Sequence, residues 1–285
     1  STPLYSSAAS DVYKRQVGGG NGIYAQLGNR TLLNEGTVVA KDSGYYGYGL
    51  DLDGAGVLQG AGGKIDFQGS NGWQQWTGSS GTLALTGTTE AINNSLRIGE
   101  GTSLTDGSSI TGVGLRLDSG TFTHNGSSTV TNFTQTGGTF ALNGSSTVRN
   151  FTQTGGTLTG TGTLMLTGVD STWSGGRMTG GGTTRIAGGA SLTVGGGSAI
   201  YAQLGNRTLL NEGTIVAKDS SYYGYGLDLD GSGVLQGSGG KLDFQGSHSW
   251  QQWTGSSGTL TLTGTTEAIN NSLRVGEGMS LTDSS

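Results

Sequence analysis

The sequence predicts an all-β chain wound as a parallel β-helix, a solenoid of about 18–20 residues per coil, and three observations predict it. The run 126–143, Gly-Ser-Ser-Thr-Val-Thr-Asn-Phe-Thr-Gln-Thr-Gly-Gly-Thr-Phe-Ala-Leu-Asn, leads straight into a near copy at 144–161, an offset of 18. Sliding the chain by 18 puts Leu104, Phe122, Phe140 and Leu158 in one column, Leu115, Phe133 and Phe151 in another, and Asn125 above Asn143. Stacked coils require this, because each side chain rests on its counterpart one turn below. Within the repeat, apolar residues recur at spacing two among Thr and Val (Phe140 and Leu142, Leu115 and Leu117, Leu164 and Leu166), separated by Gly-Gly, Gly-Ser-Ser and Asn-Gly. That is the pattern of short half-buried strands joined by tight corners. An antiparallel up-and-down sheet sets unlike strands side by side and leaves a constant offset unexplained, whereas parallel coils produce it. The rule for parallel crossovers favours a right-handed coil. A left-handed hexapeptide-repeat helix ranks second, since no six-residue apolar period is sustained.

Taken in order, residues 1–16 stand apart from the pattern. They hold the chain's single proline, contain no glycine and lack the apolar core of a secretion signal. Their ending, Ala-Ala-Ser-Asp-Val-Tyr-Lys-Arg-Gln, resembles the translated sequencing-adapter tail of reading frames assembled from environmental DNA, so the expectation is a non-native or disordered leader on a metagenomic fragment. Residues 17–108 then recur as 194–285 at an offset of 177, identical at 79 of 92 positions. The chain therefore reads as one super-repeat, 17–193, with the regular 18-residue coils at 107–161, continued by a truncated second copy, 194–285. Inside each copy, the runs at 31–42, 49–54, 56–60, 64–68 and 81–87 read as short alternating strands. Leu50, Leu52, Ile65, Phe67, Leu83 and Leu85 are expected to face inward, and Asp51, Asp53, Lys64 and Asp66 outward. At roughly 20 residues per coil the expectation is on the order of 13 coils.

Composition narrows the function. The chain has 285 residues, 59 of them glycine, no cysteine, 12% charged residues and a net charge of −5. The low, acidic charge argues against a nucleic-acid partner, which needs basic stripes. No apolar run approaches the roughly 18 residues of a membrane helix. Glycine without a Gly-X-Y period excludes collagen, and alternating Val, Ile, Leu, Thr and aromatics argue against a disordered linker.

The runs Gly-Gly-Thr-Leu-Thr-Gly-Thr-Gly-Thr-Leu, Thr-Trp-Ser-Gly-Gly-Arg-Met-Thr-Gly-Gly-Gly-Thr-Thr and Ala-Gly-Gly-Ala-Ser-Leu-Thr-Val resemble the β-strand repeats of large bacterial surface exoproteins, the filamentous-haemagglutinin-type adhesins and autotransporter passenger domains. The resemblance implies export across the outer membrane, a stiff β-helical stalk at the cell surface and a non-catalytic role in adhesion. The implied partners are glycans or surface proteins of host or neighbouring cells, with end-to-end or lateral self-association as a further option. No cofactor is expected.

The candidate binding residues are two duplicated aromatic clusters, Tyr45, Tyr46, Tyr48, Trp73 and Trp76, copied as Tyr222, Tyr223, Tyr225, Trp250 and Trp253. Consecutive aromatics cannot all enter a strand's core face, and exposed Tyr or Trp beside Gln and Asp makes a platform for sugars or proteins. The competing reading is that they brace corners of the coil. Two other functions are weighed against adhesion. A carbohydrate-active β-helix enzyme would draw on Asp51, Asp53 and Lys64, but the same set recurs as Asp228, Asp230 and Lys241, whereas such an enzyme builds one groove. A self-associating surface-layer or biofilm-matrix protein is the other. No metal site is expected, because His124 and His248 each stand alone in a chain without cysteine. Eight Asn-x-Ser/Thr sequons (Asn29, Asn93, Asn125, Asn132, Asn143, Asn150, Asn206, Asn270) are better read as corner ladders than as glycan acceptors.

Overall fold

The computed structural model describes residues 14–18, 25–26, 30–41, 48–51, 57–60, 64–68, 73–77, 82–84, 89–98, 103–106, 109–197, 202–218, 225–229, 233–245, 250–255, 259–261, 266–269, 272–275 and 280–282. Every strand pairing among them is parallel, and there is no helix. The strands form a 21-stranded and a 12-stranded sheet, and the chain visits three faces in turn. The first face carries thirteen successive strands, from Lys14–Gly18 and Thr37–Lys41 through to Thr259–Thr261 and Ser280–Thr282. The second includes Tyr48–Asp51, Trp73–Thr77, Ser171–Trp173, Ser191–Gly195, Thr214–Lys218 and Lys241–Gln245. Four long strands, Thr89–Ile98, Ser109–Leu117, Ser127–Gln135 and Ser145–Gln153, cross from the first face to the second and merge the two into the larger sheet. The third face is the smaller sheet, running from Thr31–Asn34 to Ser272–Val275. The first strand takes in Lys14, Arg15 and Gln16, which composition set apart from the repeat.

The columns fall where the 18-residue offset puts them. Leu104 pairs with Phe122, Phe122 with Phe140 and Phe140 with Leu158, and Leu115, Phe133 and Phe151 align likewise. Alternation turns these residues inward, so Phe122, Phe133, Phe140 and Phe151 are at most 1% exposed. Down the axis Phe122 stacks on Phe140 at 5.1 Å and Phe133 on Phe151 at 5.8 Å, while Phe133 and Phe140 meet tilted across the core at 4.8 Å between centroids. Such aromatic pairs add about 0.5–1.5 kcal/mol each beyond the area they bury. Polar residues stack as well. Asn143 Nδ2 donates to Asn125 Oδ1 at 2.9 Å, Asn150 Nδ2 to Asn132 Oδ1 at 3.0 Å, and the buried Ser128 Oγ to Ser146 Oγ at 2.7 Å. Gln135 and Gln153 lie buried in the inward column between Leu117 and Trp173, their Nε2 atoms donating to corner carbonyls such as Thr157 O and Arg177 O. The corner after the second face requires glycine. Gly120, Gly138, Gly156 and Gly176 all have φ between 64° and 79°, and a Cβ on Gly156 would run into Gly137 O one coil below.

Coil length is not constant. The register advances by 18 from Ser109 to Ser127, and by the same step to Ser145 and then Thr163. The step then lengthens to 20 at Thr183, 25 at Thr208 and 26 at Val234. On the other side it is 27 from Thr37 to Lys64 and 25 from Lys64 to Thr89. The coil length expected from the sequence thus holds for the ladder and the coil on each side of it, while the coils of both copies are longer. The paired stretch on the first face stays at four residues, 127–130 in the ladder and 208–211 in the second copy, so the extra residues fall between the paired stretches, where insertions leave the hydrogen-bond columns intact.

Candidate functional site

In both copies, register columns carry polar residues from one coil to the next. In the second copy Gln203, Asp228 and Thr254 are register neighbours on the third face. Gln203 Nε2 donates to Asp228 Oδ2 at 3.3 Å, and Arg177 precedes Gln203 in the same column. All three of Arg177, Gln203 and Asp228 are half-buried. A second row, Tyr225, Gln252 and Arg274, lies alongside. Between Tyr225 and Asp228 the register shifts against Gln252 and Thr254, a bulge of the kind that re-aims side chains. Leu227, inside that bulge, is wholly buried. The neighbours are the same in the first copy. Gln26, Asp51 and Thr77 form one row, Tyr48, Gln75 and Arg97 the other, and the shift recurs between Tyr48 and Leu50.

The aromatic clusters divide. Tyr45, Tyr46, Tyr222 and Tyr223 lie outside the described residues. Tyr48 shares its register column, through Gln75 and Arg97, with Arg116, whose side chain is 44% exposed and bonds Asp118 through Nε at 2.8 Å. Trp76 shares its column, through Ile98, with Leu117, which is wholly buried. Trp73 sits in register with Ser95, Trp250 with Ser272 and Trp253 with Val275. Tyr48 and Trp76 therefore hold different register columns.

Two members of the acid–base cluster, Asp51 and Lys64, stand on strands of different faces. Asp51 lies on the second face and Lys64 begins the next strand of the first, with Val57–Gly60 on the third between them. In the second copy Lys241 Nζ instead approaches Asp243 Oδ2 at 3.4 Å, on its own strand. Asp53, Asp230 and His248 lie outside the described residues. Asp243, the copy of Asp66, alternates with the inward Leu242 and Phe244 yet is only 9% exposed, because Lys241 and Gln245 close over it, Gln245 Nε2 donating to Oδ2 at 2.9 Å. His124 is buried beside Phe122, ring centroids 5.7 Å apart.

Residue patterns did not single out Arg207, which is 1% exposed. Its Nε donates to Thr184 Oγ1 at 2.9 Å, Nη2 to Thr183 O at 3.0 Å and Gly162 O at 3.1 Å, and Nη1 to Gly160 O at 3.4 Å. Burial lowers its pKa to about 10, so it stays ionised at neutral pH, held by carbonyl and hydroxyl oxygens. Nothing in the sequence distinguishes it from Arg30, its exposed counterpart. Compared with protein-family models, curated proteins and solved structures, the chain matches none.

Proposed function

We propose that the chain is a non-catalytic stalk segment of a secreted or cell-surface bacterial exoprotein, recognising glycans through the duplicated outward patch. The observation that carries this reading is the repetition of the whole patch. Gln–Asp–Thr and Tyr–Gln–Arg rows with the same bulge recur in both copies, although a strand's outer face needs only to be polar to serve the fold. Gln203 and Asp228, hydrogen-bonded to each other, offer an amide and a carboxylate, and the adjoining register row contributes Tyr, Gln and Arg residue types, the donors, acceptors and ring that a sugar uses. The resemblance to filamentous-haemagglutinin-type and autotransporter repeats supports the same role.

The test is a glycan array probed with the whole chain and with a quadruple variant, Gln26→Ala, Asp51→Ala, Gln203→Ala and Asp228→Ala, whose circular dichroism must match the parent. The expected result is glycan binding by the parent that falls at least about tenfold in the variant, the effect of removing polar contacts at the centre of a site. Binding undiminished in the folded variant, or no binding to any glycan by the parent, would sink the reading.

A further inference from the structure

We infer that the 177-residue repeat is out of step with the coil by one face, so that the chain presents its two patches on different sides and meets two copies of one partner from two directions. Starting at Thr37 on the first face, eight successive pairings lead through Lys64, Thr89, Ser109, Ser127, Ser145, Thr163 and Thr183 to Thr208. The copy of Thr37 is Thr214, six residues further on, and it lies on the second face, paired with Ser191. The lag affects every paired element. Tyr48–Asp51 is on the second face and its copy Tyr225–Leu229 on the third; Val57–Gly60 is on the third and its copy Val234–Gly237 on the first. The strand Thr89–Ile98 spans the first face and the second, whereas its copy places Thr266–Ile269 on the second and Ser272–Val275 on the third.

The neighbours one coil away are nevertheless retained. Thr37 pairs with Lys64 and Thr214 with Lys241, Gln75 with Arg97 and Gln252 with Arg274. Stacking recognises only the strand beneath, so nothing in the backbone bonding ties a segment to a face. The face is set by the residues spent in the intervening coils. Eight coils at about 4.8 Å each separate the patches by roughly 40 Å along the axis, as well as by one face around it. Granted the glycan-recognition reading, a flat ligand-bearing surface engages one patch and leaves the other free for a second surface.

The phase is tested apart from binding. The sequence has no cysteine, so introduced pairs report unambiguously, and neighbouring parallel strands lie within disulfide reach. Oxidation is expected to link the pair Thr193→Cys and Val216→Cys, register neighbours on the second face, and to leave Arg185→Cys with Val216→Cys unlinked. A repeat in step with the coil reverses those two results, and that reversal overturns the proposal even if glycans bind. For presentation, Thr77→Cys and Thr254→Cys, one in each patch, are biotinylated, and the chain is captured on a planar streptavidin surface. About one soluble streptavidin bound per captured chain is expected, since one biotin stays free; none bound means that both patches face the surface together. Neither readout depends on a glycan, so failure of the adhesin reading leaves them intact.

Discussion

Arg30 and Arg207 are the same residue of the two copies, inside the shared run Gln-Leu-Gly-Asn-Arg-Thr-Leu-Leu-Asn, yet Arg30 is exposed and Arg207 is buried. Leu32 is half-buried where Leu209 is wholly buried. What differs is the corner that each run turns. Arg207 turns from the third face to the first, directly above the narrower coils whose corner carbonyls, at Gly160 and Gly162, receive its guanidinium. Arg30 turns from the second face to the third and has none of those neighbours. The local run decides which residues make strands, and the coil beneath decides which side chains are covered.

The comparison breaks most readily at Arg207. Arg207→Ala removes the guanidinium's four hydrogen bonds, to Gly160 O, Gly162 O, Thr183 O and Thr184 Oγ1, while Gly160 O and Gly162 O keep backbone donors from Gly182 and Thr183, and is expected to cost about 3 kcal/mol. Arg30→Ala is expected to change stability by no more than about 0.5 kcal/mol. Hydrogen exchange of the amides between 160 and 211 is the measurement, since a repeat array need not unfold in one step. Equal effects at the two arginines would show that the two copies share one environment.

Gly182→Ala sharpens the contrast at the seat itself. A Cβ there would overlap Gly162 O and lie 2.7 Å from Arg207 Nη1, so the guanidinium must shift, at about 1–3 kcal/mol. The loss should shrink in an Arg207→Ala background, which a double-mutant cycle reads.

The smallest effect is on pH dependence. Burial holds the folded pKa of Arg207 at about 10, below that of the free side chain. Between those values the unfolded chain therefore holds more protons than the folded one. Stability relative to Arg207→Met, whose lysines and tyrosines titrate alike, should rise with pH through this window, by about 1 kcal/mol at a pH of about 10.5. It should be lost again as pH falls through 10. A flat difference in urea denaturation across that range would show that the guanidinium is not desolvated.

The ladder was legible in the sequence for a mechanical reason. Where coils have equal length, neighbours fall at a constant offset, so Phe122, Phe140 and Leu158 align by simple sliding. In the copies the offset changes from coil to coil: Gln203 and Asp228 are 25 apart and share no period with Thr208 and Val234, 26 apart. The patch was hidden by that drift. For the aromatic clusters, chain order alone does not say which register column each residue joins. Tyr48 and Trp76 answer to different columns, one shared with exposed Arg116 and the other with buried Leu117. Burial of Asp243 came from its own strand neighbours Lys241 and Gln245, which alternation alone reads as solvated.

The parallel columns also determine how such a filament answers a mechanical pull. Its interstrand hydrogen bonds lie along the axis, so tension applied end to end loads them in series and peels one coil at a time. Each 18-residue coil released from the ladder frees about 60 Å of extended chain, while a 26-residue coil frees roughly 90 Å. The filament therefore yields in steps whose size is set by where along it the rupture occurs, and dissipates force gradually instead of failing at once.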